Sequence, residues 1–142
     1  MTLQRISRIL GKRKRLFLEV GFMLFNLKWI IQALAVPAAE QVRLFPDFVN
    51  VADELSLIWE EVLDGRELWE SMVSADIVLA VRKLDDKILS ISGESNSQIW
   101  AEKALYESNH WEEIRGLAVV VAEKMSWPIN SPGAAEGIYI GP

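Results

Sequence analysis

The longest apolar pattern in the chain covers residues 16–36, and three kinds of segment share such a pattern. It is long enough to be a membrane span. However, Lys28 near its centre opposes insertion, and together with Glu19, Asn26 and Gln32 it nearly offsets the apolar residues. The tripeptide Ala33-Leu34-Ala35 resembles the cleavage site of an export signal, although polar residues interrupt the apolar run that should precede such a site. The third interpretation is a helix in the core of a soluble domain.

The spacing of the polar residues in this segment favours the core helix. Lys28 and Gln32 are four residues apart and share one helix face, while Glu19 and Asn26 are seven apart and share another. Two narrow polar stripes on an otherwise apolar helix are typical of a central helix surrounded by neighbours. We therefore expect a core helix, with a membrane span or anchor and an export signal as the alternatives.

Pro37 ends this first helix and can open a short helical turn through Leu44. The clearest helical pattern follows over residues 50–63. Asn50 is its candidate N-cap, and Gly65 is the expected C-terminal stop. The apolar stripe of this helix recurs at spacings of three and four: Val51, Leu55, Ile58, Trp59 and Val62.

The remaining pattern predicts one long helix and two further ones. Residues 66–90 are expected to form a single helix, because apolar residues recur along them at helical spacing, and residues 90–97 are a turn-rich linker. Ser95 and Asn109 each have a Gln or Glu three residues later, as in a capping box. They predict a helix over residues 99–106 and a last helix that Pro128 ends.

Together these elements predict an all-α protein, a small helical bundle of four to five helices with an irregular C-terminal tail. We divide the chain into a basic N-terminal arm (1–15), a helical bundle domain (16–127) and a tail (128–142). A chain of 142 residues has room for one hydrophobic core. The tail is rich in Pro and Gly, so we expect it to be irregular and loosely held.

The uneven distribution of charge changes the expectation about partners. The formal net charge is −5, but residues 1–15 contain six cations and no acid, whereas the rest of the chain has nine cations and twenty acids. An acidic body attracts a basic protein and repels nucleic acid, so nucleic acid is not an expected partner. The arm could contact anionic lipid through its cations: Arg5, Arg8, Lys12, Arg13, Lys14 and Arg15.

Several kinds of chemistry are excluded or disfavoured by residue type. The chain has no Cys, which excludes disulfides and a cysteine nucleophile and fits a cytoplasmic location. It also lacks a glycine-rich phosphate loop and a Gly-x-Ser-x-Gly elbow. Glu107 and His110 have the E-x-x-H spacing of di-iron helical bundles, but this motif straddles a predicted turn and has no second copy. We therefore expect no cofactor.

One acidic motif has a metal-binding alternative. Glu60-Glu61-Val62-Leu63-Asp64 has the E-E-x-x-D spacing, which can hold a hard cation through oxygen ligands. It resembles the first half of the acidic signature of all-α nucleotide pyrophosphatases, whose second half, an E-x-x-D on a later helix, is missing here. The resemblance implies a metal-dependent nucleotide hydrolase. Asp76, at the flank of a later apolar stripe, is a further candidate ligand because a carboxylate there needs a partner. The simpler interpretation is a solvated acidic face without a metal.

The sequence thus favours a protein without catalytic activity. We expect a binding module of the inhibitor, immunity or adaptor type that engages a basic protein partner. Alternatives are a membrane-anchored domain tethered by residues 1–36 and the nucleotide hydrolase. We expect a cytoplasmic location, with membrane association in the tethered alternative. The candidate partner-binding residues are exposed acids of two helices: Glu54, Glu60, Glu61, Asp64, Asp85 and Asp86.

Overall fold

A computed structural model describes the backbone of residues 3–134 and the side chains of residues 18–134. The side chains of the six cations in the arm and residues 135–142 of the tail lie outside the described residues. Within residues 3–134 the protein is all-α, without a strand, which confirms the predicted class. The helices are α1 (Leu3–Ala35), α2 (Ala38–Arg43), α3 (Val51–Asp64), α4 (Arg66–Glu70), α5 (Ala75–Ser90), a 3-10 segment (Glu94–Trp100), α6 (Glu102–Glu107) and α7 (Asn109–Lys124).

The C-terminal half of α1 is the centre of the core. It packs against α7, α3 and α4, and residues 27–36 are buried except for the half-buried Lys28. These ten residues are therefore enclosed by protein, as the core-helix interpretation expects. Among the described residues, Leu18–Ala35 is nevertheless long and apolar enough to cross a membrane by length and composition, and 50% of it is buried inside the fold.

The buried Gln41 of α2 closes the C-terminal end of α1. Its Nε2 donates to the carbonyl oxygens of Ala33 at 3.0 Å and Leu34 at 3.3 Å, which are among the carbonyls that a helix end leaves without partners. Arg115 Nη2 on α7 donates to Gln41 Oε1 at 3.4 Å and also to the carbonyl oxygen of Leu105 at the end of α6. This polar network fixes α1, α2, α6 and α7 to one another.

The prediction for α3 is confirmed in extent and buried stripe, but not in the detail of its two ends. Asn50 occupies the N-cap position without a capping hydrogen bond. Its Nδ2 instead donates to the carbonyl oxygen of Trp100 at 2.9 Å, which ties α3 to the 3-10 segment. Gly65 has φ −95° rather than the left-handed conformation expected of a terminal glycine. A Cβ there would lie 2.7 Å from Met23 Sδ, so glycine allows α1 to approach closely.

The prediction of one helix over residues 66–90 is wrong. The structure has two helices there, α4 and α5, separated by a turn over residues 71–74. Ser74 caps α5, because its Oγ accepts a hydrogen bond from the amide of Ile77 at 3.3 Å, and Asp76 in the first turn favours a helix N-terminus. Ser74 is therefore an N-cap that could have been identified from the sequence, but the apolar stripe that continues across it favoured a single helix.

The helix predicted over residues 99–106 is also wrong in its boundaries, since a 3-10 segment and the short α6 replace it. Two indole hydrogen bonds connect this part of the chain to its neighbours. Trp100 Nε1 donates to the carbonyl oxygen of Ile91 at 2.9 Å, and Trp111 Nε1 donates to that of Ile99 at 2.8 Å. The two rings pack edge to face, with centroids 5.5 Å apart. Ser108, rather than Asn109, caps α7.

The described part of the tail, residues 128–134, is irregular as predicted, but it is hydrogen bonded to α1 rather than loosely held. Ser126 has φ 58°, and the amide of Trp127 donates to the carbonyl oxygen of Ala122 at 2.9 Å, which ends α7 in a Schellman-type turn. The tail then runs beside α1. Gln32 Nε2 donates to the carbonyl oxygen of Pro128 at 3.0 Å, and Trp29 Nε1 donates to that of Gly133 at 2.8 Å.

Candidate functional site

The solvent-facing side of α3 contains most of the predicted partner-binding residues. We call Leu57, Glu60, Glu61 and Asp64 the acidic face of α3. All four are exposed, and Leu57 lies three, four and seven residues before the acids, which is the spacing of neighbours on one side of a helix. Glu54, one turn earlier, is half-buried. The sequence pattern predicted the acids of this face but not its exposed leucine, which is 55% accessible.

The acids of this face lie where the helix does not favour them. Helix α3 contains five carboxylates and no cation, and no basic residue occupies its last turn. The C-terminal end of a helix carries a partial negative charge, so Glu61 and Asp64 are repelled by it. Among the described side chains, no ion pair within 4.0 Å joins Glu60, Glu61 or Asp64 to a cation. The fold alone does not explain why acids occupy these positions.

The two predicted partner-binding acids of α5, Asp85 and Asp86, differ in their surroundings. Asp85 is half-buried, and its Oδ1 accepts a hydrogen bond from Trp59 Nε1 at 3.0 Å. Because Trp59 is 1% exposed, this bond satisfies a core indole and links α5 to α3. Asp86 is exposed. Asp85 therefore positions α3, and Asp86 is the acid of this pair that is free to meet solvent.

The candidate metal ligands are not brought together. Asp76 lies in the first turn of α5 and pairs with Lys124 of α7, whereas Glu60, Glu61 and Asp64 lie on α3. Within the described side chains, no group of three or more His, Asp or Glu residues is placed to hold a metal ion. The structure thus adds no carboxylate cluster to the short resemblance with nucleotide pyrophosphatases.

The single histidine is part of a polar cluster between α5 and α7. Lys87 Nζ donates to His110 Nδ1 at 2.8 Å and to Glu113 Oε2 at 2.8 Å. The hydrogen bond from Lys87, together with its positive charge, lowers the pKa of the Glu113 carboxyl below its ordinary value of 4.5. Glu107, the other member of the E-x-x-H motif, ends α6 and pairs with Lys103. The motif therefore spans two helices.

Arg115 is a partly buried cation whose surroundings change its pKa. Burial lowers the pKa of its guanidinium below the ordinary value of arginine, and attraction to Glu112 opposes that shift. Its hydrogen bonds to Gln41 and Leu105 belong to the network that closes α1. We therefore assign Arg115 to the architecture rather than to a site.

Helix α1 has an exposed apolar surface that the sequence pattern did not predict. Leu18, Phe22 and Phe25 of α1 are 57%, 65% and 63% exposed, and we call them the apolar face of α1. With Trp29 and Gln32 they form one stripe at alternating spacings of four and three. The tail covers Trp29 and Gln32, whereas no described residue encloses the other three. Spacing alone could have identified the stripe, but not where its cover ends.

Comparison with known proteins adds no assignment. No protein-family model, curated protein or solved structure matches this chain.

Proposed function

We propose that the protein is a non-catalytic helical binding module whose acidic face of α3 engages a basic protein partner, in the manner of an inhibitor, immunity or adaptor protein. One observation carries the proposal. Glu60, Glu61 and Asp64 follow the exposed Leu57 toward the C-terminal end of α3, where the helix dipole disfavours acids, and no described cation forms an ion pair with them.

Energetics explain why this arrangement points to binding. Residues that disagree with the local rules of the fold are concentrated at functional sites, where binding compensates for lost stability. An exposed apolar residue beside charged ones also resembles part of a protein interface, in which apolar residues are desolvated and charged residues at the edge stay hydrated. Carboxylates around Leu57 would steer a cationic partner toward it and speed association, and this effect weakens as salt rises.

The other predicted partner-binding residues contribute less to the proposed surface. Asp86 is exposed and can extend the negative surface, whereas the half-buried Glu54 and Asp85 can contribute through their charge more than through contact. A cytoplasmic location, which the absence of Cys fits, remains part of the proposal.

Charge reversal tests the proposal directly. The variant Glu60→Lys/Glu61→Lys/Asp64→Lys should fail to retain a basic protein that the wild-type protein retains from a lysate of its own source. A matched control, Asp47→Lys/Glu94→Lys/Glu123→Lys, makes the same change in charge at exposed positions elsewhere. It should retain that protein. Equal retention by the two variants, or binding that is the same at low and high salt, would show that the acidic face is not the site.

A second readout tests the energetic argument without a partner. Glu61→Lys/Asp64→Lys should raise the free energy of unfolding, by about 0.3–1 kcal/mol for each position, because cations are favourable at a helix C-terminus. Thermal or urea unfolding of the purified protein measures this. If the variant is less stable than the wild type, these acids contribute to the fold in a way that we have not identified, and the reason for assigning them to binding is lost.

Membrane association is the second candidate, and a separate observation favours it. The apolar face of α1 is exposed at the end of the molecule from which the basic arm continues. For the hydrolase alternative the described residues supply no supporting geometry.

A further inference from the structure

We infer that the N-terminal half of α1 is an interfacial docking helix for an anionic lipid bilayer, which lies in the bilayer surface and does not cross it. The apolar face of α1 sets the starting point. Leu18, Phe22 and Phe25 are each more than half exposed and are spaced as neighbours along one side of the helix. They extend about 10 Å along the helix axis. Large apolar residues clustered at a protein surface are typical of sites that bind another protein or a membrane.

The core limits how far lipid can reach along α1. Residues 27–36 pack against the other helices, and Trp29 and Gln32 are hydrogen bonded to the tail. Moving Leu18–Ala35 into a bilayer would remove this part of the core from α3, α4 and α7. Before Leu27, lipid can meet only the exposed side of the helix while the fold stays intact, because Val20 is buried in the core and Met23 packs against Gly65. The apolar part of this segment, residues 16–26, is too short to cross the hydrocarbon layer.

Charge identifies the kind of surface that fits. Helix α1 continues without interruption from the apolar face back to Leu3, and residues 1–15 contain six cations and no acid. The rest of the chain has nine cations and twenty acids. An anionic bilayer attracts the first part and repels the second, so it would hold the bundle away from the surface with α1 toward it. An apolar stripe next to a cationic segment on one helix is typical of helices that lie in membrane interfaces.

Vesicle binding tests the inference with the full-length protein. It should sediment with vesicles of phosphatidylcholine containing 30% phosphatidylserine, but not with vesicles of phosphatidylcholine alone, and the binding should weaken in high salt. Phe22→Asp/Phe25→Asp should reduce the partition coefficient on the order of a hundredfold, since two large apolar side chains no longer enter the lipid. Lys14→Gln/Arg15→Gln should reduce it by about thirtyfold.

A matched control comes from α5. Leu79 and Leu89 are also exposed, by 57% and 62%, but they lie on a different helix from the cationic arm. Leu79→Asp/Leu89→Asp should leave vesicle binding unchanged. Equal loss in the α1 and α5 variants, or equal binding to neutral and anionic vesicles, would overturn the inference. Thermal melting of each variant without vesicles checks that the bundle remains folded.

A fluorescent probe separates lipid from other occupants of the face. Because the chain has no Cys, Phe22→Cys provides one labelling site for an environment-sensitive dye. Its emission should resemble that of an exposed dye in solution and shift to the blue only with anionic vesicles. A dye that is already buried without vesicles would overturn the inference, because protein then covers the face. Sedimentation velocity would show whether that cover is a second copy, which gives a dimer, or the chain's own C-terminal segment.

The depth of the dye distinguishes docking from spanning. Quenchers placed at shallow positions in the lipid should quench the dye at position 22 more than quenchers near the bilayer centre. Stronger quenching from the centre would mean that α1 crosses the bilayer, which would overturn the interfacial placement. None of these outcomes depends on the acidic face of α3, so this inference and the proposed function can fail separately.

Discussion

The apolar part of α1 has two halves, residues 18–26 and 27–35, which are alike in apolar character and differ in exposure. Residues 27–36 are almost wholly buried, whereas Leu18, Phe22 and Phe25 in the turns before them are exposed. Leu18, Phe22 and Phe25 lie on the stripe that Trp29 and Gln32 continue. The described part of the tail, residues 128–134, covers only these last two residues. The difference shows that apolar character identifies a helix face that is stabilised by burial. Which part of that face is buried depends on how the rest of the chain packs.

The largest effect should come from truncating equivalent apolar residues in the two halves. Ile30 is fully buried, so Ile30→Ala should lower the free energy of unfolding by about 2–5 kcal/mol. Phe22→Ala removes a larger side chain from the exposed half, yet should change stability by less than about 0.5 kcal/mol. Urea unfolding of both variants measures the contrast. Similar losses in the two would mean that the N-terminal half of α1 is also enclosed.

A smaller effect should mark the border between the halves. Trp29→Phe removes the indole donor to Gly133 and keeps a ring against Phe45, whose centroid lies 6.2 Å away. Loss of this hydrogen bond should lower stability by about 1 kcal/mol, and limited proteolysis should cleave residues 128–134 faster. If cleavage of the tail does not change, the indole hydrogen bond is not what holds the tail on α1.

Stabilising the turn that directs the tail should have an effect of opposite sign. Ser126 has φ 58°, a left-handed conformation that glycine adopts more easily than serine. Ser126→Gly should therefore raise the free energy of unfolding by about 0.5–1 kcal/mol, measured by thermal melting. Ser126→Ala keeps the conformational penalty and serves as the control, with no gain expected. A gain in both variants would point to the lost hydroxyl rather than to the backbone.

The smallest effect should come from a surface ion pair that belongs to neither half of α1. The pKa of Glu113 is lowered in the folded state by Lys87. Its contribution to stability is therefore fully present above the unfolded value of 4.5 and is lost as pH falls through the lower, folded value. Wild type should exceed Glu113→Gln slightly in melting temperature at pH 7, and the difference should vanish near pH 3. A difference that is independent of pH would exclude this ion pair as its source.

Much of the fold could be predicted because its signals are local. The stripe from Val51 to Val62 predicted the extent and buried side of α3, and Pro37 predicted the short α2. The break at residues 71–74 was missed because apolar periodicity continued across it and outweighed the cap at Ser74. Gly65 was interpreted as a terminal signal, but its position reflects the approach of Met23, more than forty residues earlier in the chain.

The candidate sites divide in the same way. Sequence predicted the acids of α3, since residues three and four apart on a helix share a face whatever surrounds it. It could not show that Asp85 bonds to Trp59, that Asp76 pairs with Lys124, or that Leu57 stays exposed. Each of these depends on which helix packs beside which, and that arrangement is set by contacts between residues far apart in the chain.

The amino-acid sequence by itself determined that this protein is helical, where most helices lie, and that a cationic arm precedes an acidic body. Only the tertiary structure decided that α1 is enclosed from Leu27 onward and exposed at Leu18, Phe22 and Phe25, because its cover comes from α3, α4, α7 and the described part of the tail, which are distant in the chain. Helical periodicity is a property of neighbouring residues, whereas burial is a property of the whole packed chain.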